Sequence, residues 1–315
     1  MGKDRFPVQE RSFSQDRTGL SVGIANIHPI AGNLVGNQAK MLATLDQFSA
    51  RGVNLVLFPE YSLTGSFGED KAQNLFLMEK SCLEALGSWL DELARTYIRD
   101  RLQYIVLNGV SGYKDDKFHN TTLVLDNQGV SLDPERTYHK IFLSGIEKAL
   151  FRPGPCSPLV MDTDFGRLGF LTCYDISFAP LVTELVYTHK ADLLIVTAAW
   201  RRQGRRDYPG LGIREQDVYQ GMWETLVRAL AAQNQVWVMA ANCVGPHSLR
   251  ELNYSGSSGI WAPSGINLIQ GSDTREELLV LKNIPVQQEL AKEREEFGVL
   301  KDFKLVHADQ LERYL

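Results

Sequence analysis

The amino-acid sequence predicts an α/β layered fold that contains at least one mixed sheet. From residue 20 to about residue 282, short apolar runs rich in β-branched residues alternate with segments whose apolar residues recur at helical spacing. Two stretches, residues 103–140 and 256–281, instead join their apolar runs by short hairpin-like turns. Short turns join antiparallel strands, whereas intervening helices join parallel ones, so the order within the sheet is mixed.

The N-terminal third of the chain predicts two strand–helix units. Residues 20–27 form an uninterrupted apolar run typical of a buried strand, and residues 34–52 have the spacing of an amphipathic helix that ends at a glycine. Residues 54–60 repeat the strand pattern and run into a Pro-Glu turn. Residues 74–97 then predict one long second helix.

Three strands in succession are predicted next, over residues 103–112, 119–129 and 129–140. The middle strand alternates strictly between apolar and polar residues, so we expect it to be half buried. Strands and helices alternate again towards the C-terminus, and the last residues form a tail. The predicted strands there are residues 168–173, 192–200, 236–245, 258–265, 266–271 and 277–285. The predicted helices are residues 178–190, 220–235 and 284–297.

Composition and charge exclude several classes of protein. The 315 residues are 44% hydrophobic and 23% charged, which is typical of soluble globular chains and not of disordered ones. The net charge of -5 leaves no basic footprint for nucleic acid. The N-terminus is polar, and no apolar run approaches the roughly 18 residues of a membrane span. We therefore expect a cytoplasmic protein that binds neither nucleic acid nor membrane.

Three reactive side chains, Glu60, Lys140 and Cys173, each follow an apolar strand. In α/β sheets, binding sites form in the crevice beyond the carboxyl ends of the strands. A cysteine thiolate attacks carbonyl and nitrile carbons, but a free cysteine is also a common small core residue. The polar pair Tyr174-Asp175 follows Cys173 and breaks the strand there, which weakens the interpretation as a core residue and leaves the nucleophile open.

The other two side chains suit supporting roles. Burial at the rim of the core should raise the pKa of Glu60, as a base working near neutral pH requires, although a surface glutamate that starts a loop would fit the same pattern. Lys140 could stabilise a negatively charged intermediate, or it could be an exposed edge-strand lysine. His139 is an alternative base for the cysteine, but no Asn or Asp partner pattern accompanies it.

Read together, the motifs around these residues resemble those of the carbon–nitrogen hydrolase (nitrilase) superfamily, amidase-like branch. The central ones are LVLFPEYSLTG, YHKIFLSG and GFLTCYDISF, around Glu60, Lys140 and Cys173 in that order. Supporting matches are HNTTLVLD, RPG, MWETLVRALAAQNQVWVMAANCVG and YSGSSGIWAPSG. Each motif alone is weak, but all of them in order over about residues 20–282 form a specific signal.

The resemblance implies a four-layer α-β-β-α sandwich whose subunits pair through sheet-flanking helices into a homodimer or higher homo-oligomer. It places the hydrolase domain at residues 19–283, between an N-terminal extension (1–18) and a C-terminal helix and tail (284–315) that we expect to make oligomer contacts. It implies catalysis without a metal or an organic cofactor. The four cysteines are widely spaced and form no CxxC pair, and they suggest neither a zinc site nor a disulfide framework.

The resemblance also implies residue roles. Glu60 is the base, Lys140 stabilises the oxyanion together with the backbone N–H of Tyr174, and Cys173 is the nucleophile. Glu147, placed by the downstream RPG motif, is a second glutamate near the lysine and the cysteine. The candidate substrate-binding residues are the aromatic side chains Tyr61, Tyr174, Trp200 and Trp223.

Departures from the family pattern bear on the substrate. Tyr174-Asp175 follows the nucleophile where nitrile-cleaving members have Trp-Glu, so the resemblance favours a small-molecule amide over a nitrile. The arginine that clamps a substrate carboxylate in carbamoylases is replaced by Ser177, which predicts a neutral amide. If the substrate is anionic, Arg201 or Arg202 should bind it. The alternatives that stay open are a nitrilase and a catalytically silent member that binds a ligand.

Overall fold

The computed structural model describes residues 6–15, 18–114, 117–129, 132–133, 136–249 and 251–303. The strands are β1 (Val8–Ser12), β2 (Leu20–Asn26), β3 (Leu55–Leu57), β4 (Tyr104–Lys114), β5 (Lys117–Leu125), β6 (Thr137–His139), β7 (Val160–Thr163), β8 (Gly166–Thr172), β9 (Leu193–Ala198), β10 (Arg206–Tyr208), β11 (Ile213–Glu215), β12 (Trp237–Asn242), β13 (Gly259–Trp261), β14 (Asn267–Gln270) and β15 (Glu277–Ile284). The helices are α1 (Leu34–Ser49), α2 (Lys71–Ser81), α3 (Gly87–Tyr97), α4 (Glu147–Leu150), α5 (Ala179–Thr183), α6 (Val218–Asn234) and α7 (Val286–Glu296).

Two mixed sheets form the middle of the molecule. The first has the order β1-β15-β2-β3-β4-β5-β6, and the second has the order β14-β13-β12-β9-β8-β7. Parallel and antiparallel pairs occur in both: β2 is parallel to β3, and β8 to β9, whereas β4 and β5 are antiparallel, as are β12 and β13. The predicted mixed strand order is therefore confirmed.

Side chains alternate between the two faces of the first sheet, and each face has its own partner layer. On β2, Val22 and Ile24 enter the core between the two sheets, while Ala25 belongs to the core under α1 and α3. The far face of the second sheet is covered by α5 and α6, which contribute Leu181 and Val227 to its core. The order of layers is helices, sheet, sheet, helices, so the α/β four-layer sandwich is confirmed.

The predicted long helix over residues 74–97 is divided into α2 and α3. Cys82 has an extended backbone (φ −67°, ψ 153°), and the next amide, that of Leu83, donates to the Val110 carbonyl on β4 at 2.8 Å. This hydrogen bond to the sheet ends the helical ladder, and the chain resumes it at Gly87. The spacing of apolar residues in 74–97 cannot reveal this hydrogen bond, because its acceptor lies on a distant strand.

Other elements also differ from expectation. The strand predicted over residues 129–140 is reduced to β6, although residues 130–131 and 134–135 lie outside the described residues. The helix predicted over residues 178–190 is α5 followed by a π-helical turn, Glu184–Thr188. No helix in the described part of the chain is long and apolar enough to cross a membrane.

The two terminal segments make contacts within their own chain. The N-terminal extension contains β1, which pairs in parallel with β15 over Val8–Ser12. In the C-terminal segment, α7 buries Val286 and Leu290 in the core of the second sheet. The oligomer contacts expected of residues 284–315 stay a prediction. Residues 1–5 and 304–315 lie outside the described residues.

Candidate active site

Residues from both sheets meet at the carboxyl ends of their strands. Glu60 lies three residues after the end of β3, and Lys140 directly follows β6 in the same sheet. Cys173 follows β8 in the second sheet. The backbone N–H of Glu60 donates to the Ala198 carbonyl at the end of β9, 3.3 Å away, and this bond joins the two sheets at the site. The structure thus brings the three reactive side chains to one place.

Cys173 begins a short 3-10 turn that ends at Ser177. Its φ of 50° lies in the left-handed region, which is strained for a residue with a side chain. The turn is held by a capping box: Thr172 accepts from the backbone of Asp175, and the Asp175 carboxylate accepts from the Thr172 N–H at 3.1 Å. Backbone N–H groups at the start of such a turn, including that of Tyr174, have no partner within it.

A buried ammonium lies between two buried carboxylates. The Nζ of Lys140 is 2.9 Å from Glu60 Oε1 and 2.8 Å from Glu147 Oε1, and all three side chains are at most 5% exposed. Burial opposes the charge on Lys140, but Glu147 and Glu60 outweigh it and hold the lysine pKa well above its usual range. The lysine therefore stays charged, and it fixes the positions of both carboxylates.

Glu60 and Cys173 share a neighbour in the backbone of Ala199. The Ala199 N–H donates to Glu60 Oε2 at 2.7 Å, and a hydrogen bond from the same N–H lowers the pKa of the Cys173 thiol. Burial and the charge of Glu60 nevertheless raise that thiol pKa well above its usual range. Burial also raises the pKa of Glu60, against the effect of Lys140. A thiol that holds its proton therefore lies beside a carboxylate with increased proton affinity.

Glu147 has a more polar environment than Glu60. Its Oε2 accepts from both the N–H (2.8 Å) and the hydroxyl (2.7 Å) of Ser144, and its Oε1 accepts from the Tyr61 hydroxyl at 2.6 Å. Burial raises its pKa, but Lys140 and these donors outweigh burial and hold the pKa at about 2. Glu147 is thus a fixed negative charge, and the two glutamates differ in proton affinity although they contact the same lysine.

Asn120 is a member of the site that the sequence analysis missed. Its Nδ2 is 2.7 Å from Glu60 Oε1, 2.7 Å from the Tyr61 hydroxyl and 3.0 Å from Glu147 Oε1. Asn108 donates to the Asn120 Oδ1 at 2.8 Å and so fixes the orientation of the amide. Both asparagines are fully buried. The strand predicted to be half buried is in fact buried on both faces, since every residue from Asn120 to Leu125 is buried. A buried polar side chain such as that of Asn120 needs a partner, but the alternating pattern did not indicate this burial.

Asp175 joins the cysteine turn to the segment that follows Lys140. Its carboxylate accepts from the Tyr138 hydroxyl at 2.7 Å and from the Phe142 N–H at 2.8 Å, in addition to the Thr172 N–H. Burial raises the pKa of Asp175 to about 6, against the effect of Lys140. Through these bonds the first sheet and the nucleophile turn are held in one arrangement.

A cavity of about 420 Å³ opens onto Cys173. Three of the four aromatic residues predicted to bind substrate line it: Tyr61, Tyr174 and Trp200. Trp223 does not, which corrects that prediction, because its buried indole lies outside the cavity and donates to the Ser257 carbonyl at 3.1 Å. Successive residues of a helix point about 100° apart, and on α6 it is Tyr219 and Met222 that face the cavity.

His139 lies outside the cavity, on the opposite side of the strand from Lys140. It stacks on His119 with ring centroids 4.5 Å apart, and its Nδ1 is 2.8 Å from the Thr121 hydroxyl. Burial and His119 lower its pKa to about 4. The structure therefore does not place His139 as a base for Cys173.

The two arginines considered for an anionic substrate differ in position. Arg201 lines the cavity, with its guanidinium 4.5 Å from the centroid of the Tyr219 ring. Arg202 is ion-paired with Asp273 and is not among the cavity residues. No group of three or more His, Cys, Asp or Glu side chains in the described ranges could hold a metal ion.

Comparisons with known proteins agree on the family. The carbon–nitrogen hydrolase family profile matches residues 21–288. The chain is 28% identical over 217 residues to a 2-oxoglutaramate amidase from Bacillus subtilis, covering 69% of this chain and 73% of that protein. It is 30% identical over 140 residues to a probable nitrilase from Schizosaccharomyces pombe, a match that spans 44% of each chain.

A solved structure extends the likeness to the fold. The crystal structure of a carbon–nitrogen hydrolase from Helicobacter pylori G27 superposes with a TM-score of 0.75 at 20% sequence identity. The superposition covers 93% of this chain and 97% of that one.

Proposed function

The chain belongs to the carbon–nitrogen hydrolase family, and from that premise we propose that it hydrolyses the C–N bond of a small amide through a thioester on Cys173. One observation carries the proposal: a buried carboxylate, Glu60, is held between the Lys140 ammonium and the Ala199 N–H, which also bonds the Cys173 thiol. A base, a cation and a nucleophile that line one cavity are the groups that acyl transfer requires.

In the first half of the proposed reaction, Glu60 takes the thiol proton and the sulfur attacks the amide carbonyl carbon. The carbonyl oxygen becomes an oxyanion, which Lys140 and the backbone N–H of Tyr174 stabilise. When the tetrahedral intermediate collapses, the C–N bond breaks, and the proton on Glu60 goes to the leaving nitrogen. Ammonia or an amine departs and a thioester remains. One well-placed donor in such a hole typically lowers the barrier by about 3 kcal/mol.

In the second half, a water molecule replaces the amine. Glu60 takes a proton from this water, the hydroxide attacks the thioester carbonyl, and the same donors stabilise the second oxyanion. Collapse breaks the C–S bond, releases a carboxylic acid and returns the proton to the sulfur. The raised proton affinity of Glu60 suits a group that must accept and release a proton twice in each cycle.

An amide is favoured over a nitrile as the substrate. The pair Tyr174-Asp175 after the nucleophile is the amidase-like pattern, and the Bacillus relative that matches most of the chain is named as an amidase. The Schizosaccharomyces relative named as a probable nitrilase keeps the nitrile as the second candidate. A panel of small amides and nitriles assayed for ammonia and acid release separates the two: acid from nitriles but not from amides would reverse the assignment.

Substitution of Cys173 by Ala tests the nucleophile. We expect no measurable turnover and an unchanged melting temperature, because the side chain is small and leaves little cavity. Glu60→Gln and Lys140→Arg should also be inactive. The first variant loses the base, and the second replaces a compact ammonium by a planar guanidinium. Appreciable activity in Cys173→Ala would exclude the thioester route.

Alkylation separates an enzyme from a silent, ligand-binding member. Cys156 is exposed and Cys82 is partly exposed, so the experiment removes both background thiols with Cys82→Ser and Cys156→Ser. In that background we expect one rapidly labelled site, Cys173, and loss of the labelling in Glu60→Gln. An unreactive Cys173 would favour the silent member, because a thiol without an activating base behaves as a core residue.

A further inference from the structure

The charges that line the cavity are separated by depth. Its two carboxylates, Glu60 and Glu147, are buried beside Lys140 next to Cys173. The two remaining charged residues that line it, Lys148 and Arg201, are cationic and solvent-exposed, so they lie at the mouth. A ligand with a negative charge at one end would therefore be attracted by the mouth and repelled by the two carboxylates beneath it.

Arg201 is held in place without neutralisation by a carboxylate. Its guanidinium lies over the Tyr219 ring, and hydrogen bonds from Arg201 and from Arg206, which is not among the cavity residues, lower the pKa of the Tyr219 hydroxyl. In the same loop, Arg202 is paired with Asp273 and Arg205 with Asp207. Among the described residues, no carboxylate lies within ion-pair distance of Arg201. The guanidinium has five N–H donors, and most of them stay available to a ligand.

His247 also lines the cavity but adds no charge to it at neutral pH. Burial and the charge of Arg201 lower its pKa to about 4, so the imidazole is neutral at neutral pH. Ser177 is exposed and is not among the cavity residues. Ser177 is therefore not part of the cavity lining and gives no support for a neutral amide.

We infer that the amide substrate carries a carboxylate at the end remote from its scissile bond, and that Arg201, braced by Tyr219, binds this carboxylate at the cavity mouth. The inference deepens the proposed function and rests on it. The charge pattern also orients the substrate, because its neutral amide end is the one that can approach Glu60 and Glu147. Lys148 also attracts the substrate carboxylate to the mouth. The planar guanidinium of Arg201 supplies the two parallel hydrogen bonds that select a carboxylate.

The test compares two amides of the same length, butyramide, which ends in a methyl group, and succinamate, which ends in a carboxylate. For the wild type we expect kcat/KM to be at least tenfold higher for succinamate. In Arg201→Gln this preference should fall by about 10- to 100-fold, mainly through the KM for succinamate, as the loss of a charge-assisted bond predicts. Tyr219→Phe, which keeps the ring and loses the hydroxyl, should lower the preference by a smaller factor.

Arg202→Gln is the matched control. It removes an adjacent arginine that is paired with Asp273 outside the cavity, so the preference for succinamate should stay at the wild-type value. The ratio of the two kcat/KM values separates binding from general damage, because a distorted site would slow both substrates. Raising the salt concentration should lower the wild-type ratio and leave that of Arg201→Gln nearly constant, since salt screens the exposed charge.

Each outcome decides one of the two claims. A wild type that prefers butyramide overturns the inference and leaves the proposed function in place. A preference for succinamate that survives Arg201→Gln overturns the role of Arg201. If neither amide nor any other amide in the panel is hydrolysed, the proposed function fails, and titration with succinate decides the anion site separately. Succinate binding that weakens in Arg201→Gln would support the site, and no binding, or equal binding, would overturn it.

Discussion

At the scale of single residues, the ionisable groups next to Cys173 act as one electrostatic unit. Glu60 and Glu147 contact the same lysine, yet burial raises the pKa of Glu60 while donors and Lys140 hold that of Glu147 at about 2. Two carboxylates with different proton affinities can take different roles, one exchanging protons and one keeping a constant charge. We therefore regard Glu147 as the residue that positions Lys140 and tunes Glu60.

Glu147→Gln tests this tuning. The charge of Glu147 raises the pKa of Glu60, so its removal should lower that pKa and move the acid limb of the kcat/KM profile to lower pH. The value of kcat should fall roughly tenfold to a hundredfold, because Lys140 loses one of its two anchors. Glu277→Gln is the control, since this glutamate is also buried but bonds Gln9 and Ser272 outside the cavity. A limb that stays in place or moves to higher pH would show that Glu60 is not the titrating base.

Residues that follow strand ends could be predicted, whereas contacts between distant segments could not. Glu60, Lys140 and Cys173 were found because each follows an apolar run and belongs to a motif. Asn120 was missed because its importance depends on the approach of Glu60 and Glu147, 60 and 27 positions away in sequence. Trp223 was expected to bind substrate but lies outside the cavity, because periodicity locates a buried face of a helix and does not show which core or cavity that face meets.

At the scale of elements, the nucleophile turn is held by a carboxylate whose pKa depends on burial. Asp175 is ionised only above a pKa of about 6 in the folded protein, against an ordinary value of 3.8. Between these two pH values the folded state binds the extra proton, so the free energy of unfolding falls as pH rises through this window.

Asp175→Asn tests whether the free energy of unfolding falls as the pH rises. The uncharged amide does not titrate, so the stability of the wild type relative to the variant should decrease by roughly 2 kcal/mol from pH 4 to pH 7 and then level off. The measurement is urea unfolding of both proteins at several pH values. A relative stability that increases with pH would mean that the Tyr138, Phe142 and Thr172 donors outweigh burial and depress the pKa of Asp175.

The RPG segment requires a glycine at residue 154 because its backbone lies close to the backbone of His139 and Lys140. The Gly154 N–H donates to the Lys140 carbonyl at 2.8 Å, and a Cβ at residue 154 would lie 2.2 Å from the carbonyl oxygen of His139. Only glycine fits there without displacement of β6. The segment therefore acts as a brace for the lysine, a role that the motif alone did not reveal.

Gly154→Ala should push the backbone at Lys140 away from Glu60. We expect a loss of about 1–3 kcal/mol in the free energy of unfolding, typical of an overpacked site, and a lower kcat. Gly210→Ala is the matched control, because no atom lies within 4 Å of a Cβ built there. Equal stability and activity in the two variants would show that the loop adjusts freely and does not position the lysine.

At the scale of the whole molecule, the family resemblance implied the order of the layers, but the edge strand β1 of the first sheet was not predicted. Apolar runs and helical spacing identified most of the strands and helices of the sandwich. The strand β1 was missed because its sequence, VQERS, has no apolar face, which is common in a solvent-exposed edge strand. It is recognisable only from its partner β15, which lies at the other end of the domain. Assembly into a homodimer through sheet-flanking helices stays a prediction.

Removal of residues 1–12 tests the contribution of β1 to the whole domain. The deletion leaves the apolar strand β15 (Glu277–Ile284) as an unprotected edge and removes its ladder hydrogen bonds. We expect the free energy of unfolding to fall by roughly 2–4 kcal/mol, from several bonds worth about 1 kcal/mol each, and we expect the shortened chain to aggregate at high concentration because its edge can pair with another copy.

The matched control removes the ion pairs of β1 and keeps its backbone. Glu10 bonds Lys282 at 2.6 Å and lies 3.4 Å from Arg51, and it is exposed enough for solvent to screen both pairs. Glu10→Gln should therefore change the free energy of unfolding by less than about 1 kcal/mol. If this variant were as unstable as the deletion, the charges and not the ladder would hold β1. If the deletion itself had no effect, β1 would contribute nothing to the free energy of unfolding. The edge of β15 would then be protected by some other part of the molecule.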